Sequence, residues 1–282
     1  MKLTYKTPGM KITLLPLWIA LYIFVLPRVS FAQKRLPKVQ ASAIKAGSKM
    51  IIDGNINDWT KGFQAYNNRT NIYYSLAHDS TNIYLIVRAI SYEAIKKILL
   101  GGVSLTLEDG SLPASESKVR IRYPAYDKYH PSWAINWGAS LAVKDINFNQ
   151  KEADSLMMVR NETLAKKAKL IAFKEQSKNA DTLFSVYDAK GIKIRSRFDI
   201  ASSYTMEWLI PLSFITSKDR SIRYRIELPG GSAGGVDVMV DTDRQVIFFT
   251  GASGGNYVLP MNAGNVDLAS PTFFSGKYIL AK

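Results

Sequence analysis

The chain has 282 residues, with 37 Lys+Arg against 23 Asp+Glu and a formal charge of +14. Zero Cys and two His exclude a disulfide framework, thiolate metal centres and a cysteine nucleophile, and leave zinc without a ligand set. The basic residues are dispersed and no nucleic-acid motif accompanies them, which argues against DNA or RNA as a partner.

The N-terminus reads as an address. Lys2, Lys6 and Lys11 precede an apolar run over 12–26 that Pro16 interrupts, and Ser30 and Ala32 stand at −3 and −1 before Gln33. The run is shorter than the ~20 residues a membrane span needs. The expectation is a signal peptide over 1–32 and an exported protein, periplasmic or extracellular, with no transmembrane segment after cleavage. An uncleaved anchor is the competing reading. With no Cys after the apolar run, a lipid anchor is excluded. Cleavage removes four of the 37 basic residues and none of the 23 acidic ones, leaving +10. Such a charge favours acidic partners, or serves only to keep an envelope protein soluble.

Residues 33–48 are polar and read as an extended lead-in to a single domain over 49–282. Strand patterns follow at 50–52, 70–77 and 82–90, the last two flanking the polar turn His78-Asp79-Ser80-Thr81 as a hairpin. Ala94, Ile95, Ile98 and Leu99 have helical spacing, closed by Gly101-Gly102. Strands come next at 103–107 and at 119–123, where Arg120 and Arg122 alternate outward. An aromatic-dense loop spans 124–137.

The strongest helical pattern lies at 150–169, with Ala153, Leu156, Met157, Leu164 and Ala168 on one face. After a strand at 170–173, 183–187 and 192–197 flank Asp188-Ala189-Lys190-Gly191 and read as a second hairpin. Strands at 204–210, 221–228, 236–241, 245–250 and 273–280 are separated by loose segments at 230–235 and 251–270. Many short strands with polar turns predict an all-β, antiparallel two-sheet β-sandwich, jelly-roll-like, with one or two inserted helices. An early and a closing strand are expected to be neighbours.

Three patches carry a family resemblance. Asp53-Gly54 and Trp59, then Asn82-Ile83-Tyr84, then Tyr204…Glu207…Pro211-Leu212 resemble the family 9 carbohydrate-binding modules and the wider DOMON-like β-sandwiches. The resemblance implies a non-catalytic module that binds carbohydrate, with Trp59 packed in the core. It also implies calcium, for which Asp237, Asp241 and Asp243 are the candidate ligands; haem, known among the wider relatives, is poorly served by two His.

Pyranose rings stack on aromatics, and Tyr123, Tyr126, Tyr129, Trp133 and Trp137 form the densest aromatic cluster, with His130 and Asp127 among them. Their alternative role is to cover a core edge under a loop. Glu207 is a carboxylate in an apolar strand; the reading is a structural ion pair with Arg, and a catalytic acid is the lesser alternative. No G-x-S-x-G, H-E-x-x-H or P-loop occurs, so an enzyme is not expected, beyond an accessory part in glycosyl hydrolysis. No cofactor is expected apart from that calcium. A competing class is an envelope scaffold that contacts a protein partner through the same sandwich.

Overall fold

The computed structural model describes residues 35–110, 118–127, 150–175, 180–215, 220–233, 236–251 and 256–280. The signal peptide expected over 1–32 therefore lies outside the described residues, as do Tyr129, His130, Trp133 and Trp137.

In chain order the strands are β1 (Ala65–Asn67), β2 (Ile72–His78), β3 (Asn82–Ala89), β4 (Val103–Asp109), β5 (Lys118–Tyr123), β6 (Leu170–Glu175) and β7 (Thr182–Ser185). They continue with β8 (Lys193–Phe198), β9 (Tyr204–Pro211), β10 (Ser221–Leu228), β11 (Val236–Asp241), β12 (Val246–Gly251), β13 (Asn256–Pro260) and β14 (Thr272–Ile279). Three helices are described: α1 (Tyr92–Gly101), α2 (Gln150–Lys167) and α3 (Ala263–Ala269).

Every pairing between these described strands is antiparallel. A five-stranded sheet runs β1-β2-β3-β9-β8 and a six-stranded sheet runs β14-β10-β4-β5-β6-β7. This is the two-sheet sandwich the strand pattern predicts, to which β11-β12-β13 adds a small third sheet.

Alternation explains the layering. On β2, Ile72, Tyr74 and Leu76 point into the main core, as do Ile83, Leu85 and Val87 on β3 and Tyr204, Met206, Trp208 and Ile210 on β9. From the other sheet come Leu105, Leu107, Val119, Ile121, Phe173, Tyr224 and Ile226. Trp208 is fully buried in this layer. The opposite face of the five-stranded sheet is not bare. Ala77, Tyr84 and Ile86 meet Ile44 and Trp59 in a second, smaller core, with Met50, Ile52, Ile56 and Leu209 packed around it.

Residues 50–52 make no strand. Ile51 is exposed and its N–H donates to Asp58 Oδ2 at 2.8 Å, so the apolar run caps the second core instead of joining a ladder. The lead-in does pair. His78 N–H donates to Ile44 O at 3.0 Å and Ala46 N–H to His78 O at 2.7 Å, extending the sheet beyond β1 along the same edge of β2. Between them the Gln40 side chain imitates a backbone amide, accepting from Leu76 N–H at 2.7 Å and donating to Leu76 O at 2.9 Å.

Three further expectations are corrected. β7 and β8 do not form a hairpin: β7 pairs with β6 in the six-stranded sheet and β8 with β9 in the five-stranded one. The Asp188–Gly191 turn therefore carries the chain from one sheet to the other. The segment 251–270 holds β13 and α3, the latter started by Asn262 accepting from Asn265 N–H at 2.9 Å. The closing strand β14 pairs with β10 and not with an early strand; the early segment reaches it through Tyr278, whose hydroxyl accepts from Ile44 N–H at 3.0 Å.

Helix α1 forms as its spacing predicts, with Ser91 accepting from Ala94 N–H at 3.2 Å and Gly102 at φ +82 behind it. On α2 the predicted face is buried through Met157, Leu164 and Ala168, but Arg160 shares it at 2% exposure. Its guanidinium donates to Ser202 Oγ at 3.1 Å and sits over the Phe198 ring, while Nε and Nη2 have no acceptor among the described residues.

The turn between β2 and β3 is held by Asp79. Burial alone would raise its carboxyl, yet the Tyr84 hydroxyl at 2.6 Å and the Thr81 and Asn82 N–H groups at 2.7 Å outweigh it and bring the pKa down to about 2. A depressed carboxyl stabilises the fold above its unfolded pKa, and that contribution is lost as pH falls through the folded value. Unfolding midpoints of the wild type should therefore drop between pH 4 and about 2, and Asp79→Asn should flatten that drop. Denaturant titration at each pH measures it; an equal drop in both proteins refutes the assignment.

Candidate functional site

The motif that opens the domain is a clamp. Asp53-Gly54 makes a turn in which Gly54 takes φ +84, a conformation open to glycine. An added Cβ there would also come within 3.2 Å of the Arg197 side chain and the Ser196 backbone on β8. This turn presents three N–H groups in succession to one carboxylate oxygen. Glu207 Oε2 accepts from Asp53 at 3.0 Å, Gly54 at 2.8 Å and Asn55 at 3.2 Å. Its Oε1 accepts from the Trp59 indole N–H at 2.7 Å.

Glu207 is fully buried on the outer face of β9, opposite Ile86 of β3. Burial raises its pKa, and the hydrogen bonds from Trp59, Asp53 and Gly54 pull against that shift. The Arg ion pair expected for Glu207 is thus corrected: no Lys or Arg pairs with it among the described residues, and Arg195, its cross-strand neighbour, lies over Tyr187 instead. Backbone amides and an indole satisfy the carboxylate in place of a cation.

Trp59 is buried, as the resemblance implies, in the second core and not the main one. Tyr84 belongs to the same layer, with its hydroxyl on Asp79. Pro211 ends β9 opposite Asn82. Asp53, Gly54, Trp59 and Glu207 are therefore one unit of structure, filled by the protein's own groups.

The aromatic candidates separate. Tyr123 and Tyr126 are buried at 5% exposure, each in the main core. Tyr123 donates to Ala168 O at 3.1 Å and Tyr126 to Leu99 O at 2.7 Å. With rings packed and hydroxyls spent on carbonyls, these two are core and not a stacking platform. Tyr129, Trp133 and Trp137 lie outside the described residues.

The three candidate calcium ligands do not converge. Asp237 and Asp241 stand at opposite ends of β11, and Asp241 Oδ1 caps its own turn by accepting from Asp243 N–H at 3.1 Å and Arg244 N–H at 2.9 Å. Among the described residues no group of three or more His, Cys, Asp or Glu side chains is placed to hold a metal.

What the fold does build is a cleft beside the clamp, of about 470 Å³. The Gly54–Ile56 turn, β3, β8 and α2 enclose it. Asn161 docks the helix, donating to Phe198 O at 3.0 Å and accepting from Phe198 N–H at 2.7 Å. This holds Asp154, Met157 and Met158 over the outward residues of the sheet, Arg88, Arg197 and Thr205. Arg88 is fixed by Asp199 and by Ser203 Oγ at 3.1 Å, while Arg197 is exposed and makes no ion pair among the described residues.

Sequence reading singled out the Gly54 turn as a motif but named none of the lining side chains as binding residues. A retrievable signal was present: Lys193, Arg195 and Arg197 alternate along one strand, opposite Ile194 and Phe198, which puts them on the solvent side. What could not be read was that a helix some forty residues earlier would roof that face.

Among the described residues, no helix is long and apolar enough to cross a membrane. No family model matches the chain and no curated protein matches it. Among solved structures, a family 9 carbohydrate-binding module from Caldicellulosiruptor kristjanssonii, in complex with glucose, aligns with 85% of this chain and 94% of its own. The identity is 12% and the TM-score 0.34. At that score the likeness carries no weight for what this chain binds, and the sandwich stands on its own registers.

Proposed function

We propose that this chain is an exported, non-catalytic carbohydrate-binding protein of the cell envelope, and that the cleft under α2 is where the sugar sits. The observation that carries the reading is the cleft's make-up. Its size falls within the ~300–1,000 Å³ of small-molecule sites. Guanidinium, carboxylate and amide groups stand there beside the flexible apolar chains of Met157, Met158 and Ile200. A sugar needs both at once: hydrogen-bonding groups for its hydroxyls and apolar surface for its C–H faces. The motif resemblance to carbohydrate-binding modules supports the same reading, as does an export-type N-terminus.

The binding role favours positions on rigid elements, and the cleft has them: a strand edge, a helix pinned by two hydrogen bonds and a clamped turn. Expected on a glycan array and in affinity gels is retention on at least one glycan class by the full chain. Met158→Asp on the exposed helix face should reduce that retention at least tenfold with an unchanged unfolding midpoint. Absence of binding to every neutral and acidic glycan would refute the reading and favour a protein-contacting scaffold, which a stoichiometric partner recovered from envelope extracts would then identify.

A further inference from the structure

Resting on that proposal, we infer that the cleft takes an acidic sugar, and that Arg197 is the residue that receives its carboxylate. The two arginines lining the cleft are not equivalent. Arg88 is already answered by Asp199, and its second contact, to Ser203 Oγ at 3.1 Å, locks it into the wall. Asp199 is spent as well, since its Oδ1 accepts from Ser203 N–H at 2.9 Å. Arg88 and Asp199 thus cancel each other, and the other charged groups of the lining are Arg197 on β8 and Asp154 on α2.

Arg197 is different. It projects from β8 on the exposed face, and no described carboxylate pairs with it. Its stem runs against the Asp53-Gly54 turn, where Gly54 leaves just enough room: an added Cβ would stand 3.2 Å from Arg197 Cγ. That turn is itself fastened to Glu207. The guanidinium is thus carried on a supported stem at the mouth of a cleft, with its planar fork unspent. A carboxylate matches that fork with two parallel hydrogen bonds, which a neutral hydroxymethyl group cannot do.

Charge on β8 has a simpler role too. It is the edge strand of its sheet, and Lys193, Arg195 and Arg197 on its outer face discourage pairing with another chain. Lys193 and Arg195 need no other explanation, and Arg195 is occupied over Tyr187. Arg197 alone of the three lines the cleft. The surplus of +10 over residues 33–282 acts in the same direction, by drawing polyanions to the surface.

The test uses isothermal titration of the full chain with three oligosaccharides of one backbone: a neutral hexose oligomer, its hexuronate counterpart and a sulfated form. The expected result is hexuronate binding at least tenfold tighter than the neutral oligomer and weakening as salt rises. Arg197→Ala should abolish that difference, lowering hexuronate affinity at least tenfold more than it lowers neutral affinity, and Arg197→Lys should restore part of it. Circular dichroism of each variant checks that the exposed substitution leaves the fold intact. Equal affinity for neutral and uronate oligomers would overturn the acidic-sugar inference and leave the carbohydrate proposal standing. Binding of none of the three would overturn both. Tighter binding of the sulfated form, or a difference that survives Arg197→Ala, would overturn the assignment of a carboxylate to Arg197.

Discussion

Glu207→Ala is expected to lower unfolding stability by about 3 kcal/mol, judged from buried hydrogen bonds to a charged acceptor and the cost of leaving donors unmade. Four N–H groups point at this one side chain. Without it the Trp59 indole nitrogen loses its acceptor inside the second core, and the turn over 53–55 loses what holds it to β9. The backbone donors nearer the surface will recover some hydration, which keeps the cost below a simple sum. Glu207→Gln keeps one carbonyl oxygen but turns an NH2 toward other N–H groups, so it should cost about 2 kcal/mol rather than nothing.

The pH dependence separates a clamp from mere packing. Burial holds the Glu207 carboxyl above the ordinary value of 4.5. A raised carboxyl contributes stability that is fully present below its unfolded pKa and lost as pH rises through the folded one. Wild type should therefore lose stability relative to Glu207→Gln as pH climbs from 4.5 through the raised folded value. Urea midpoints at several pH values measure both effects, with an unchanged slope as the two-state check. A loss under 1 kcal/mol for Glu207→Ala would show that the motif is not what fastens this turn.

The second large effect is expected from removing residues 36–46. That deletion strips the partner from the Leu76–His78 edge of β2, takes Gln40 from Leu76, and removes Ile44 from the second core. It also uncovers a buried phenol chain. Gln40 N–H donates to Tyr74 Oη at 2.9 Å, Tyr74 and Tyr224 share a hydrogen bond at 2.9 Å, and Tyr278 binds Ile44 on both its N–H and its carbonyl. Those hydroxyls sit in an apolar setting that pushes Tyr278 up to about 12, so they stay neutral and need partners. The truncated chain should lose roughly 5 kcal/mol or more, from several buried hydrogen bonds and a vacated core position. It should also self-associate through the freed strand edge. Thermal melts with size-exclusion chromatography check both; a monomer with an unshifted melt would show the lead-in to be dispensable.

That segment marks where sequence reading stops. Residues 33–48 carry no alternation, so they read as a lead-in; their role depends on an edge of β2 that only the folded sheet defines. Local periodicity was legible. The 82–90 run, the helix behind Ser91 and the inward set on β9 appear in the structure as their spacing predicts. Pairing was not. A Gly turn between two apolar runs has the same local signature whether the runs join one sheet or two, and β7 and β8 go to different ones.

The site was hidden for a related reason. Asp53-Gly54, Trp59 and Glu207 stand out one by one, yet nothing in their spacing says that 207 reaches back to 53. Arg160 is hidden in a different way: nothing in the helical spacing marks it for burial, yet it stands at 2% exposure with the Phe198 ring beneath it.

The threading of the two sheets has a consequence for biogenesis. After β3 the chain leaves for the six-stranded sheet and returns only at β8 and β9, so the inner edge of β3 has no partner until residue 204 is present. A nascent polypeptide must carry that apolar, template-ready ribbon open for much of its synthesis. Slow folding is the expected result, since the decisive contacts join distant parts of the chain.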